Sequence, residues 1–270
     1  VTNFSDTFFP YTSGKIGPYY IDSGAIMNTG WDYVLTVAAV RRLVLEFGHE
    51  PYIISGGESK DWIFSLPCST SLSVPHTMLY KNGRIVGAEL KEKNVVHVAD
   101  LNNEGSSLRD YWVPIIKRFG GKIKGVVFYV DRLEDGTKVV QELGLESKSV
   151  VPLDGRAWDY LKKLGVMTKE VYRNLMERID DKELWARNML RSKDGLERLA
   201  ELVRSPRTNG IVIKILQVGY PDIKEEMPNI TIPDADITIY AISAARFNTM
   251  KAVDELKKEN IKCNVIHIFW

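Results

Sequence analysis

Apolar residues recur at helical spacing in "WDYVLTVAAVRRLVLEF", residues 31 to 47, and the run stops at Gly48, which predicts a first helix with a glycine C-cap. Upstream, "FFPYTSGKIGPYYIDSGAIMNTG" is aromatic and too often broken by glycine for a helix, so an extended ribbon or surface loop is expected there. "YIISGG" reads as a short strand entering a turn, and "HTMLYKNGRIVGAEL" as a hairpin turning at Asn82-Gly83. "NVVHVAD" reads as a central strand, followed by a helix from Ser107 to Phe119 and the strand "KIKGVVFYVD". This βαβ order favours a parallel sheet covered by helices, an α/β core. A helix near 136 to 143, a strand at "SKSVVPL" and helical segments from Gly155 to Arg204 complete it. "RSPRTNG", 204 to 210, reads as a linker. It divides the chain into a domain over 1–204 and a small α/β appendage over 205–270. In the appendage "IVIKILQV", "DITIYAIS" and "KCNVIHIFW" are expected as strands and "FNTMKAVDELKKE" as a helix.

Composition narrows the class. A chain of 270 residues with 44% hydrophobic and 26% charged residues is an ordinary globular protein. Its formal charge of +1 argues against wholesale binding of nucleic acid or an anionic membrane, so any phosphate recognition must be local. No stretch approaches the ~18 apolar residues of a membrane span, and the N-terminus lacks a secretory pattern, which predicts a cytoplasmic protein. Cys68 and Cys263 have neither disulfide nor zinc spacing and are expected as two buried thiols.

Chemistry concentrates where "VVHVAD" breaks into "LNNEGSS" before the next helix. At such a junction unpaired helix N–H groups and the positive end of the helix dipole favour a phosphate. Gly105 permits close backbone approach, Ser106 and Ser107 bring hydroxyls, and Asp100 is placed for sugar hydroxyls or water-held Mg²⁺. An ordinary capped helix reads from the same residues. Neither a P-loop nor a dinucleotide fingerprint is present.

Three segments together resemble the type I phosphoribosyltransferases, and the orotate phosphoribosyltransferases in particular. They are "SGKIGPYYIDSGAIMNTG", "VVHVADLNNEGSSLRD" and "GVVFYVDRLEDG", in matching order over roughly residues 1 to 200. The resemblance implies that Asp100 meets the ribose hydroxyls and that Asn103, Glu104, Gly105, Ser106 and Ser107 form the 5′-phosphate cradle. It further implies Lys60 as the diphosphate-loop lysine, Lys81 at the hairpin that carries the catalytic flap, and Tyr20 and Arg132 on the base side. Magnesium arriving with diphosphate, an orotate or nucleotide ligand, and a homodimer are likewise implied, with "ERIDDKELWARNMLRS" as a candidate interface helix.

The pattern also departs from that family. Ala99 stands where the family has the first of two acids, Glu104 where it has a small residue, and Thr12 where it has a lysine. The flap is reduced to the turn in "LYKNGRIVG". Two functions therefore stand side by side: an orotate phosphoribosyltransferase, or a non-catalytic nucleotide-binding or regulatory protein on that fold. An unrelated α/β binding protein is the third reading. Lys214 or Lys251 would replace the flap if the appendage capped the site. His49, His76, His97 and His267 are scattered without catalytic spacing, and Trp31, Trp62, Trp112 and Trp158 are expected to pack.

Overall fold

In a computed structural model the described residues are 2–11, 13–48, 52–204, 208–226, 237–242, 253–256, 258–259 and 261–268. Their elements begin with β1 (Thr2–Pro10), β2 (Ile16–Ile21), α1 (Gly30–Leu45), β3 (Tyr52–Gly57), α2 (Trp62–Leu72), β4 (His76–Leu79) and β5 (Ile85–Gly87). There follow β6 (Asn94–Asn102), α3 (Val113–Arg118), β7 (Lys122–Asp131), α4 (Asp135–Glu142), β8 (Ser147–Pro152) and α5 (Gly155–Lys163). The remainder is α6 (Lys169–Asp180), α7 (Lys182–Arg191), α8 (Lys193–Arg204), α9 (Asn209–Lys214), α10 (Pro221–Glu226), β9 (Ile237–Ile242) and β10 (Cys263–Ile268).

These elements form two compact units, one of residues 1–3 and 21–168, the other of residues 4–20 and 169–270. The boundary expected at 204/205 falls inside the second unit, which also takes in the N-terminal ribbon.

The first unit is built on a six-stranded sheet in the order β5-β4-β3-β6-β7-β8. All its neighbours pair in parallel except β4 and β5, the antiparallel hairpin. Alternation along the central strands decides which helices cover which face. Ile53, Val95, Ala99, Val126 and Phe128 share a core with Trp112, Val113 and Ile116. Their neighbours Ile54, Val96, Val98 and Val127 meet Val40 and Val44 of α1 and Phe64 and Cys68 of α2. The expected hairpin is present, with its turn at Asn82-Gly83: Gly83 has φ +86° and its N–H donates to the Tyr80 carbonyl at 2.8 Å. The helix after β6 starts at Ser106 and passes through a π turn, Leu108–Trp112, before α3. α2, which the hydrophobic pattern did not single out, carries Pro67 inside it and buries Phe64, Ser65, Cys68 and Ser69.

In the second unit Phe8 and Ile16 of the β1–β2 ribbon pack with Trp185, Ala186 and Leu190 of α7 and with α8 to α10. Trp185, Ala186 and Leu190 of the candidate interface helix are thus used inside their own unit, while Ile179 and Leu184 stay exposed. "IVIKILQV" is helical rather than extended, as α9 followed by a π turn at Ile215–Gly219. Among the described side chains of this stretch Val212, Ile215, Leu216 and Gly219 are buried, and that spacing is helical. β9 and β10 pair in parallel as a separate two-stranded sheet. Most of "FNTMKAVDELKKE" lies outside the described residues, which show helix at 253–256.

Trp112 and Trp158 are buried and Trp62 is half-buried, but Trp31 is 71% exposed on α1 and packs no core. Both cysteines are buried free thiols. No helix among the described residues is long and apolar enough to cross a membrane.

Candidate functional site

Parallel strands bring the loops that follow β3, β6 and β7 to one edge of the sheet, the carboxyl edge, where open α/β sheets bind ligands. Most of the residues singled out from the sequence lie there. The loop after β6 contains Asn103 and Glu104, then Gly105 at φ +67°, then the helix from Ser106. A side-chain carbon on Gly105 would stand 2.8 Å from Val139 Cβ and 3.2 Å from Gly136 Cα, so glycine is required by both conformation and space. The Asn103 carbonyl accepts from Gly136 N at 2.8 Å, which fixes the turn against α4. Asn102 points inward, and its Nδ2 donates to Asp131 Oδ1 at 3.2 Å, tying the ends of β6 and β7. Glu104, half-buried, makes no side-chain hydrogen bond or ion pair among the described residues. Its carboxylate therefore does not plug the turn by bonding to the amides that a phosphate would use.

Asp100 is half-buried, and its Oδ2 accepts from Ser23 Oγ at 2.7 Å. Ala99, by contrast, joins the core beside Trp112 and offers nothing to a ligand. Lys60, on the loop after β3, is half-exposed and lies 3.8 Å from Asp22 Oδ1. Lys81 donates its backbone N–H to Glu58 Oε1 at 2.7 Å and sets its ammonium 5.6 Å from the centre of the Tyr111 ring. The adjoining turn is closed by Tyr80 N to Arg84 O at 3.0 Å, so the hairpin has no flap.

Arg132 is buried, and its Nε and Nη2 reach Glu134 Oε1 at 3.2 and 3.1 Å. A carboxylate already engages the guanidinium that the resemblance assigns to the base. Leu133 between them sits at φ +55°, its N–H bonded to Asp131 Oδ1 at 2.9 Å. Burial raises the Asp131 pKa, against lowering bonds from Leu133 and Asn102. Tyr20 falls in the second unit, partly exposed, with its ring 6.1 Å from that of Phe9. Thr12 and Lys251 lie outside the described residues, and Lys214 ends α9 in the second unit.

One constellation escaped the sequence reading. Asp61, just before α2, is buried and turns its carboxylate away from its own helix. Its Oδ1 accepts from Asp100 N and its Oδ2 from Gly57 N, each at 2.9 Å. Fully buried His97 brings Nε2 to 3.7 Å from Asp61 Oδ2, while its Nδ1 meets buried Ser55 Oγ at 3.0 Å. Burial, and then the neighbouring Asp100 charge, push the Asp61 pKa well above the carboxylate range despite the two backbone N–H bonds. Burial lowers His97 to about 3, so this imidazole is neutral. Serine, histidine and aspartate meet here, but a serine with no solvent access attacks no substrate. "KDW" gave one usable hint, since aspartate before a helix is ordinarily a cap.

The edge is acid-rich. Glu58, Asp61, Asp100, Glu104, Asp131 and Glu134 stand on its loops and strand ends beside Lys60 and Arg132. Recognition of a phosphate dianion here must come chiefly from backbone N–H groups at the start of the helix.

No family model matches the chain. An orotate phosphoribosyltransferase of Sulfolobus acidocaldarius is 25% identical over 148 residues, covering 53% of this chain and 74% of the relative. Among solved structures, orotate phosphoribosyltransferase of Francisella tularensis aligns at TM-score 0.54 and 22% identity over 66% of this chain and 92% of its own. UMP synthase of Leishmania donovani aligns at TM-score 0.57 and 20% identity over 65% of this chain, which spans 38% of that longer protein. The strand–turn–helix edge and these likenesses agree: the chain has the phosphoribosyltransferase fold and is similar in sequence to orotate phosphoribosyltransferases.

Proposed function

We propose that the first unit binds a ribose 5-phosphate ligand of the pyrimidine nucleotide type at the carboxyl edge of its sheet, and that transfer chemistry has been lost. The turn at Gly105 carries this reading, because its left-handed glycine leads directly into a helix start whose amides Glu104 leaves unbonded. Asp100 stands at the adjoining end of β6, where ribose hydroxyls would lie.

The hairpin speaks against transfer. In the reaction of the orotate enzymes, a base nitrogen bonds to the anomeric carbon of ribose as the carbon–oxygen bond to diphosphate breaks, and diphosphate leaves. A turn closed between Tyr80 and Arg84 cannot cover that leaving group. Magnesium fits this edge only as a companion of diphosphate. No three His, Cys, Asp or Glu among the described residues converge on a metal position, whereas Mg²⁺ commonly takes one or two carboxylates with substrate phosphates. Asp100 is such a carboxylate, and the ion would neutralise charge on the diphosphate.

An active orotate phosphoribosyltransferase is the second reading, favoured by Lys60 and Arg132 persisting on loops of this same edge. Calorimetric titration with orotidine monophosphate, alongside a turnover assay with orotate, phosphoribosyl diphosphate and Mg²⁺, separates the two. Binding without turnover is expected. Turnover at ~1–10³ s⁻¹ would establish the enzyme instead, and an absence of binding would refute both.

A further inference from the structure

We infer that Asp61 is a positioning residue of the ribose subsite, acting through Asp100. The inference rests on the ribose 5-phosphate reading above and assigns a role to a residue that contributes no exposed chemistry of its own.

β3 and β6 pair in parallel from Tyr52↔Asn94 to Ser55↔His97, and their register ends there although both strands run on towards the carboxyl edge. The ladder opens where a ligand would enter. Asp61 fills the opening by accepting from the N–H of Gly57 on one strand and of Asp100 on the other, both at 2.9 Å. Asp100 is thereby held twice, at its backbone by Asp61 and at its carboxylate by Ser23 Oγ at 2.7 Å.

This arrangement is a costly way to close a sheet. A buried carboxylate pays desolvation, and here it has a second acid for a neighbour. The neighbouring imidazole nitrogen, His97 Nε2, stands 3.7 Å away without a hydrogen bond of its own. A continued ladder with an apolar residue at position 61 would avoid both penalties. What the carboxylate supplies instead is a fixed gap between two strands and a fixed direction for the Asp100 backbone. Such local conflict in an otherwise consistent fold is expected at functional sites.

Calorimetric titration of the full chain with ribose 5-phosphate, 2-deoxyribose 5-phosphate and inorganic phosphate tests the role. Wild-type protein should prefer ribose 5-phosphate over the deoxy sugar by about tenfold, the factor of a hydrogen bond worth ~1.4 kcal/mol. Asp61→Asn keeps the side chain's shape but can no longer accept from both N–H groups. It should bring that ratio close to one while leaving inorganic phosphate affinity within about twofold. Asp100→Asn should do the same, and the double variant should add nothing, because one residue acts through the other.

An unchanged ratio in Asp61→Asn, additive losses in the double variant, or a parallel fall in phosphate affinity would each overturn the inference. If circular dichroism shows Asp61→Asn unfolded, Asp61→Glu is measured under the same criteria. Equal wild-type affinity for the two sugars would remove Asp100 from hydroxyl recognition, and this inference with it. Failure of either sugar phosphate to bind would refute the ribose 5-phosphate reading itself.

Discussion

Replacing Gly105 by alanine tests the proposed cradle at its tightest point. The backbone there has φ +67°, a region that costs an L-residue roughly 1–2 kcal/mol. The added carbon would also meet Val139 Cβ at 2.8 Å, Val139 Cγ1 at 3.0 Å and Gly136 Cα at 3.2 Å. None of these is the tip of a flexible chain, since Val139 is buried in α4 and Gly136 N is bonded to the Asn103 carbonyl at 2.8 Å. Overpacking of this kind costs about 1–3 kcal/mol. The two effects together predict a loss of ~2–5 kcal/mol in urea unfolding, together with loss of nucleotide binding because the turn must move. Val139→Ala makes room for the new carbon but leaves φ unchanged. The double variant should therefore be less destabilised than the two single variants summed, and relative to Val139→Ala alone it should lose only about the 1–2 kcal/mol backbone cost. A Gly105→Ala protein within ~0.5 kcal/mol of wild type and still binding orotidine monophosphate would refute the reasoning.

Further outcomes follow from the charges and thiols. Glu104→Gln should raise affinity for inorganic phosphate several-fold in calorimetry, since unit charges ~6 Å apart repel by about 0.7–3 kcal/mol as the effective dielectric falls from ~80 to ~20. Unchanged affinity would place the carboxylate away from the anion. Burial lowers His76 to about 4 and His97 to about 3, so the unfolded chain binds more protons than the folded one below the ordinary histidine value. Their contribution to stability is complete above pH ~6.5 and declines as pH falls towards 4. Asp61, raised by burial, works in the opposite sense, because stability from its protonated form is lost as pH rises through its folded value. Urea midpoints measured from pH 7 to 4 should therefore fall less steeply with acid in His97→Gln than in wild type. An identical slope would contradict the neutral buried imidazole. Cys68, buried and pushed up to about 12, should resist a thiol reagent in native protein and react in urea. Trp31→Ala, on an exposed position, should change stability by less than ~0.5 kcal/mol.

Local pattern determined a large part of this fold. Helical periodicity located α1, the Asn82-Gly83 pair located the hairpin, and the strand–glycine–helix sequence around 95–119 located the candidate phosphate turn. Each depends on residues a few positions apart, so neighbouring side chains carry the information. Where that information was ambiguous, packing decided. Ile211–Val218 is a mostly β-branched and apolar run, broken by Lys214 and Gln217, that reads as a strand or as a buried helix, and burial of Val212, Ile215 and Leu216 beside α7 made it helical. Pro67 and the serines of α2 hid a helix that its buried face stabilises.

The site divides in the same way. The loop residues from Asp100 to Ser107 were legible because they are contiguous. Tyr20, which the resemblance puts on the base side, lies in the second compact unit. Glu134 on Arg132 is only two residues away, but the pairing appears only once Leu133 adopts its left-handed turn. Asp61, Ser55 and His97 come from separate segments and meet because β3 pairs with β6 rather than with another strand. Strand order follows from burying both faces of one sheet under helices, a demand of the whole chain that no single stretch encodes.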